Sequence, residues 1–442
     1  MSADNSEPLS IFPLSRRERG QGDEGLRVAL LYNLADNAPA DPDAPPDALD
    51  ELDYERNVDA YAAALRAAGH TVFPMEGDAA LPAKLKRYKI DVCFNTCEGY
   101  RGDSREAQVP ALLEMLGIPY TAARVLGLSL TLDKAMTKRV LAHHGLPTPR
   151  FQEFFTPNDP LDPKLRFPLF LKPNREGTGK GITDKSIVST EFELRGYVEY
   201  LLKNYKQSVL VEEYVDGRDL TCGLVGNLDP QALNASIPLD RLRSRNGQTG
   251  VDWAGVHFFP ISEVDYAVYP PGTEPVYSNR LKVQLADHYH CLCPATLPED
   301  VAAEIRRLTL EVFRRTQSHD MGRVDFRLDR RTRQPQILEI NALPGITPTS
   351  DLTLCAQAEG WTHADLIVAV MDAAIGRLNL QPKPNGKHTS RAKRTPESPY
   401  HSALSGVVGA SSTAYDRVSP SPSAQNAPAT GFAKQSTSKG AD

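Results

Sequence analysis

Short apolar runs alternate along the chain with segments of helical period, and this alternation predicts an α/β fold. Arg27-Val-Ala-Leu-Leu-Tyr32 reads as a buried strand. Asn57 to Ala68 is alanine-rich, amphipathic and stopped by Gly69, which predicts a helix, and Thr71-Val-Phe73 predicts the next strand. Ile90 to Phe94 predicts a third strand, and Arg105 to Leu116 a helix ended by the Gly117-Ile-Pro119 turn. Asp133 is placed to cap a helix running to about His144, where Gly145, Pro147 and Pro149 end it. Between the first strand and the first helix, the Pro/Asp/Ala-rich stretch Asp36 to Asp53 predicts a mobile loop. These elements predict a Rossmann-like N-terminal substrate domain over 25–148.

Farther on, Phe167 to Lys172 and Val209 to Glu213 read as strands flanking a glycine-rich loop, within a central subdomain over 149–226. A β-hairpin over 322–341 and an apolar helix from Ala364 to Ala374 belong to a C-terminal subdomain over 227–380. Residues 1–24 and 381–442 are polar, the latter rich in Ser, Pro and Ala; neither can bury enough surface to offset its ordering entropy, so both are predicted to be disordered tails.

The length of 442 residues requires more than one core, and 40% hydrophobic with 24% charged residues excludes a fibrous or wholly disordered chain. The net charge of −6 conceals a basic C-terminal tail. Over 381–442 that tail has a surplus of about +5, so the remainder stands near −11. No nucleic-acid partner is expected of such a balance. No apolar window is long enough to span a bilayer, the N-terminus does not read as a secretion signal, and six cysteines make no disulfide framework, so a cytoplasmic protein is expected.

The most informative chemistry lies in Gly322-Arg-Val-Asp-Phe-Arg-Leu-Asp and Gln336-Ile-Leu-Glu-Ile-Asn341. Strand alternation puts Arg323, Asp325 and Arg327 on one face and Val324, Phe326 and Leu328 on the core face; Glu339 and Asn341 likewise oppose Leu338 and Ile340. A turn centred near Thr332 places Asp325 opposite Glu339 and Arg323 opposite Asn341. Facing carboxylates repel, and a divalent cation held by Asp, Glu and Asn oxygens relieves this. An exposed face of scattered ion pairs is the alternative. Asn341-Ala-Leu-Pro-Gly-Ile346 then offers backbone N–H groups beside the proposed metal. Lys172-Pro-Asn-Arg-Glu-Gly-Thr-Gly-Lys-Gly181 is a strand opening into a loop that can fold over phosphates, although it lacks Walker A spacing. Val209 to Asp219 offers Glu212 or Glu213 to an adenine edge and Asp219 to ribose hydroxyls; solvated strand-end acids are the alternative.

Lys134, Lys172 with its loop, Glu212 to Asp219, Arg323-Val-Asp325 and Glu339-Ile-Asn-Ala-Leu-Pro-Gly345 resemble, in order and approximate spacing, the ATP-grasp superfamily, and within it D-alanine–D-alanine ligases. The resemblance covers about residues 26 to 376. It implies a two-part ATP-grasp module and an ATP-dependent carbon–nitrogen ligase acting on small amino-acid substrates, as in peptidoglycan biosynthesis, with a homodimer as the implied assembly. Lys134 and Lys172 would hold the ATP phosphates, and Glu176, Gly177, Thr178, Gly179, Lys180 and Gly181 would close over them. Glu212, Glu213, Tyr214 and Val215 would line the adenine site and Asp219 would bind ribose. Asp325, Glu339 and Asn341 would bind two Mg²⁺ ions, Mn²⁺ being the alternative. Arg323 and the Gly345 N–H would stabilise the acyl-phosphate and the tetrahedral intermediate. Glu55 would approach the first substrate's amino group, and Lys282 would sit on the lid.

The sequence departs from the family where Asp36 to Asp53 replaces a glycine-rich turn, where Asn95-Thr-Cys-Glu-Gly replaces a His-Gly segment, and at Ser350-Asp. Val283 stands where a lid tyrosine is usual, so its link through Thr178 to Glu55 does not form in the usual way. Three readings follow: a D-alanine–D-alanine ligase; the same ATP chemistry on another amino acid or peptide, in secondary metabolism or wall modification; or a nucleotide-binding scaffold whose ligase activity has decayed. Retention of Arg323, Asp325, Glu339 and Asn341 counts against the last.

Overall fold

A computed structural model describes residues 25–244, 249–270, 276–278, 280–281 and 291–381. The expected tails and Lys282 lie outside the described residues. Three sheets succeed one another along the chain. The first is parallel, with β1 (Arg27–Tyr32) between β2 (Thr71–Glu76) and β3 (Val92–Asn95). Val28 to Leu31 are completely buried because a central parallel strand is covered on both faces. Helices α1 (Glu55–Ala67), α2 (Leu81–Arg87) and α3 (Gln108–Leu116) belong to this region, and the left-handed Gly117 ends α3. After α4 (Val125–Leu132) comes α5 (Lys134–His143), whose N-cap Asp133 accepts from the Met136 N–H at 2.9 Å, as the sequence predicts.

The second sheet is antiparallel: β4 (Phe151–Phe154), β5 (Leu169–Pro173), β6 (Ile187–Val188) and β7 (Val209–Glu213), in the order β4-β7-β5-β6. Helix α6 (Glu191–Tyr205), opened by a Thr190/Glu193 capping box, buries Leu194, Val198 and Leu201 against it.

The third sheet is built on the long strand β8 (Gly217–Gly226). Strands β9 (Val251–Trp253), β10 (Val256–Phe258), β11 (Ser262–Val264) and β12 (Cys291–Leu292) extend from one of its edges. After α7 (Glu299–Arg315), the hairpin β13 (Met321–Asp329) and β14 (Pro335–Asn341) extends it on the other edge; α8 (Asp351–Ala358) and α9 (His363–Leu378) follow. Because β8 belongs to this sheet, the change of sheet falls between Glu213 and Gly217, earlier than the expected boundary at 226.

Two expectations change. The stretch 36–53 is a folded strap and not a hanging loop: Leu34 and Asp53 form a parallel bridge, the Ala35 N–H donates to the Asp53 carbonyl at 3.0 Å and the Asp53 N–H to Asn33 at 2.9 Å. In the hairpin, Asp325 pairs with Glu339 and Arg323 with Asn341 as expected, but Phe326 pairs with Ile337. Leu338 is therefore an extra, bulged residue. A bulge restarts the alternation, so Ile337 takes the core position and Leu338 turns to a cavity wall.

His257 on β10 is 3% exposed, holds Asp252 at 2.7 Å and Glu359 at 3.0 Å through its two ring nitrogens, and stacks on Trp361. Burial opposes its charge, but the two carboxylates win and its pKa is pushed up to about 9. A raised histidine contributes stability that is complete below its unfolded value of 6.5 and is lost as pH rises through about 9. The melting temperature of the wild type should accordingly fall more steeply between these limits than that of His257→Gln; parallel profiles would assign the pair no net contribution.

Candidate active site

Where the hairpin of the third sheet meets the N-terminus of α5 and the end of β5, two cavities share Tyr277, Glu339 and Asp351. The larger, of about 780 Å³, is lined by Asp53, Glu98, Lys134, Thr178, Arg323 and Gly345 among others. The smaller, about 110 Å³, is lined by Lys172, Gly179, Glu212 to Val215, Asp219, Asp325 and Leu338. Period-two alternation in β13 and β14 delivers the hairpin's polar groups to this junction.

Glu339 receives Lys134 at 3.4 Å and Lys172 at 3.6 Å. Asp325 accepts from Arg323 at 2.9 Å, Asn341 Nδ2 at 3.0 Å and the Thr221 hydroxyl at 2.8 Å. The facing carboxylates are thus each compensated by cations. Burial works against the Lys172 ammonium, but Glu212 and Glu339 outweigh it and hold its pKa above the ordinary lysine value. Burial likewise opposes Arg323, which Asp325 and Asp351 keep firmly charged. Asp325, Glu339 and Asn341 offer hard oxygen donors, the chemistry that suits Mg²⁺. Among the described residues no group of three or more His, Cys, Asp or Glu side chains is arranged for a metal; a cation held by Asp325 and Glu339 would take Asn341 as its third side-chain donor.

The residues expected to meet the nucleotide are already engaged by protein partners. Glu212 is a buried counter-ion, 2.6 Å from Lys138 and 3.4 Å from Lys172. Burial would raise its pKa, yet the two lysines hold it below the usual carboxylate range. This ion triad leaves Glu213, Tyr214 and Val215 to present the strand end. Asp219 is gripped by Arg327 at 2.9 Å and by the Tyr266 hydroxyl. Arg327 also donates to Tyr214 and to the Val215 carbonyl, both at 2.8 Å, which fixes the strand end.

In the glycine loop, Thr178 adopts a left-handed φ of 50° and Lys134 donates to the Glu176 carbonyl. Lys180 lines neither cavity: it is 5% exposed and paired with Glu51 at 2.7 Å and with Glu176 at 2.5 Å.

Nor does the structure bring Glu55 into the cavity. It is exposed at the first position of α1, outside the lining of the cavity. Its buried neighbour Asp53 is there instead, accepting from Thr96 at 3.0 Å and Tyr61 at 3.2 Å. Burial, against those hydrogen bonds, pushes its pKa up to about 6. Glu98 and Glu106 also line this wall; burial raises both, with repulsion from Glu106 adding to it at Glu98 and repulsion from Glu51 at Glu106. Asp53 and Glu98 lie in irregular segments with no period to reveal their direction, and Glu106 lies in the short 3-10 turn Arg105–Ala107 that precedes α3, so the sequence did not single them out. At the opposite side Asp351, first residue of α8, approaches Arg323 at 3.4 Å and accepts from Tyr277 at 3.4 Å.

The D-ala D-ala ligase C-terminus family profile matches residues 140–239 and 268–372. The D-alanine–D-alanine ligase of Moorella thermoacetica is 34% identical over 326 residues, which cover 72% of this chain and 92% of that protein. The uncharacterized protein y4sG of Sinorhizobium fredii is 33% identical over 334 residues, covering 73% of this chain and 88% of its own. In structure, the D-alanine–D-alanine ligase of Bacillus anthracis complexed with ATP superposes with a TM-score of 0.57 at 19% identity, covering 80% of this chain and 99% of that one. No helix among the described residues is long and apolar enough to cross a membrane. The chain belongs to the D-alanine–D-alanine ligase family of ATP-grasp proteins, and at that level of description it is an ATP-dependent ligase.

Proposed function

We propose that the protein joins two amino acids through an acyl-phosphate, with D-alanyl-D-alanine as the leading product. The observation that carries this reading is the junction itself: Asp325, Glu339, Lys134, Lys172 and Arg323 converge where a strand-end cleft meets a larger polar cavity. Amide formation requires a carboxylate to be activated, and phosphoryl transfer is mainly positioning and charge neutralisation. Glu213, Tyr214 and Val215 would frame the adenine, Asp219 the ribose, and Lys134 and Lys172 the phosphates under the 176–181 loop. Asp325, Glu339 and Asn341 would hold Mg²⁺, which when bound supplies charge neutralisation at the transferred group. Arg323 and the Gly345 N–H would receive the oxygen charge that develops on the acyl group.

Asp53, ionised above about pH 6 on the wall it shares with Glu98 and Glu106, suits the ammonium of an amino-acid substrate. A second reading, that the acceptor is not D-alanine, is favoured by Asp351. It brings a second carboxylate to Arg323, which Asp325 already engages, and so competes with a substrate carboxylate for that guanidinium.

A panel of D- and L-amino acids, hydroxy acids and short peptides, read by phosphate release and product mass, tests the reading. Turnover should require ATP, Mg²⁺ and an amino-acid pair, with D-alanine the first to try; ATP binding without stimulation by any pair would favour a scaffold. Glu339→Gln should lower turnover by about a hundredfold or more while the melting temperature holds. Unchanged activity would remove the metal assignment. Because ammonium binding needs ionised acids and Asp53 titrates at about 6, KM for the amino acid bound there should rise as pH falls through this value. A KM that is flat with pH would dissociate Asp53 from substrate binding.

A further inference from the structure

The glycine loop is held at both ends by carboxylates of the strap over 36–53. The Gly177 N–H donates to Glu51 and the Gly181 N–H to Asp47, the latter at 2.9 Å. Glu51 also takes Lys180 at 2.7 Å and Arg105 at 2.8 Å. Arg105 in turn donates to the Arg175 carbonyl at 2.7 Å and approaches Glu176 at 3.4 Å. Asp47 accepts a second bond, from the Tyr205 hydroxyl at 2.9 Å, which ties it to α6. Burial opposes ionisation of Glu51, but Lys180 and Arg105 hold it well below the usual carboxylate range, so the grip is charge-assisted throughout the neutral pH range.

The direction of the grip matters. Thr178 and Gly179, between the two anchored glycines, line the larger and the smaller cavity respectively; Glu51 and Gly177 also line the larger cavity, and Glu51 with Lys180 and Tyr205 lines a recess on the strap side. Glu51 thus stands between the two spaces and pins the loop whose tip faces the site. A Cβ at Gly177 would meet the Glu51 carboxylate, so a side chain there has to push that carboxylate away from the loop.

We propose that Glu51 and Asp47 are positioning residues that latch the glycine loop shut over the nucleotide phosphates, so that the strap closes the site in this chain. The inference rests on the reading of the loop as the phosphate cover. A loop already held in its closed form loses less conformational freedom when nucleotide binds, and it keeps water from an acyl-phosphate.

The test uses the full-length protein, Glu51→Ala and Gly177→Ala, the second breaking the contact from the loop side with both charges retained. Hydrogen–deuterium exchange of the segment 173–183 is measured without ligand. KM for MgATP, kcat and phosphate released per amide formed are then measured with the most active pair from the panel. The latch predicts that both variants exchange the Gly177 amide about tenfold faster or more, the loss expected for a charge-assisted hydrogen bond. It also predicts that KM for MgATP rises more than kcat falls, and that phosphate release exceeds amide formation. Unchanged exchange and unchanged KM in variants that melt as the wild type does would overturn it. If Glu51→Ala does not fold, Gly177→Ala carries the same test. Fast exchange of the Gly177 amide in the wild type overturns the latch whatever the activity. Protection lost in the variants supports it even if no pair turns over, and that silence would overturn the functional reading instead.

Discussion

Two carboxylates, Asp325 and Glu339, face each other across an antiparallel hairpin, and much of the surrounding architecture compensates for that repulsion. Arg323 and Asn341 answer from the hairpin itself, Lys134 from the start of α5, and Lys172 from the end of β5. Three separately formed elements thereby converge on one point. Burying such a set is unfavourable unless each charge is matched, so the packing of β5 and α5 against the third sheet is bound up with the electrostatics of the junction.

The compensation is layered. Lys172 is shared between Glu339 and Glu212, and Glu212 is shared in turn between Lys172 and the wholly buried Lys138. Burial drives the Lys138 pKa down while Glu212 draws it up, and burial prevails. The chain of alternating charge thus runs inward from the cavity to a lysine no ligand reaches. Its deep end fixes the geometry of its shallow end, since removing one partner from a buried pair is far more damaging than removing both.

Local rules made much of this legible in the sequence. The cap at Asp133, the stops at Gly69 and Gly117 and the pairing of Asp325 with Glu339 all follow from propensities that act over a few residues. Glu55 could be placed only by likeness to a motif, and the structure leaves it exposed while Asp53 enters the cavity. Glu212 is an acid at a strand end in the sequence; that it is sandwiched by two lysines depends on α5, packed beside β4 and β14, reaching it with Lys138, which no local pattern encodes. The strap offered proline and aspartate, ordinary signs of a loose loop, and its order comes from partners such as Arg105 and Tyr205 far along the chain. Long-range ion pairs were the information lacking.

The bulge at Leu338 has a bearing on how relatives are compared. Between it and the turn, paired positions run one step out of phase with those between it and the loop at Gly345. A relative with a regular hairpin would need one residue fewer on this strand, and the gap that aligns the two belongs beside Leu338. Placed in the turn, as turn-length variation would suggest, it would shift Ile337 from the core to the cleft and make equivalent residues look like substitutions.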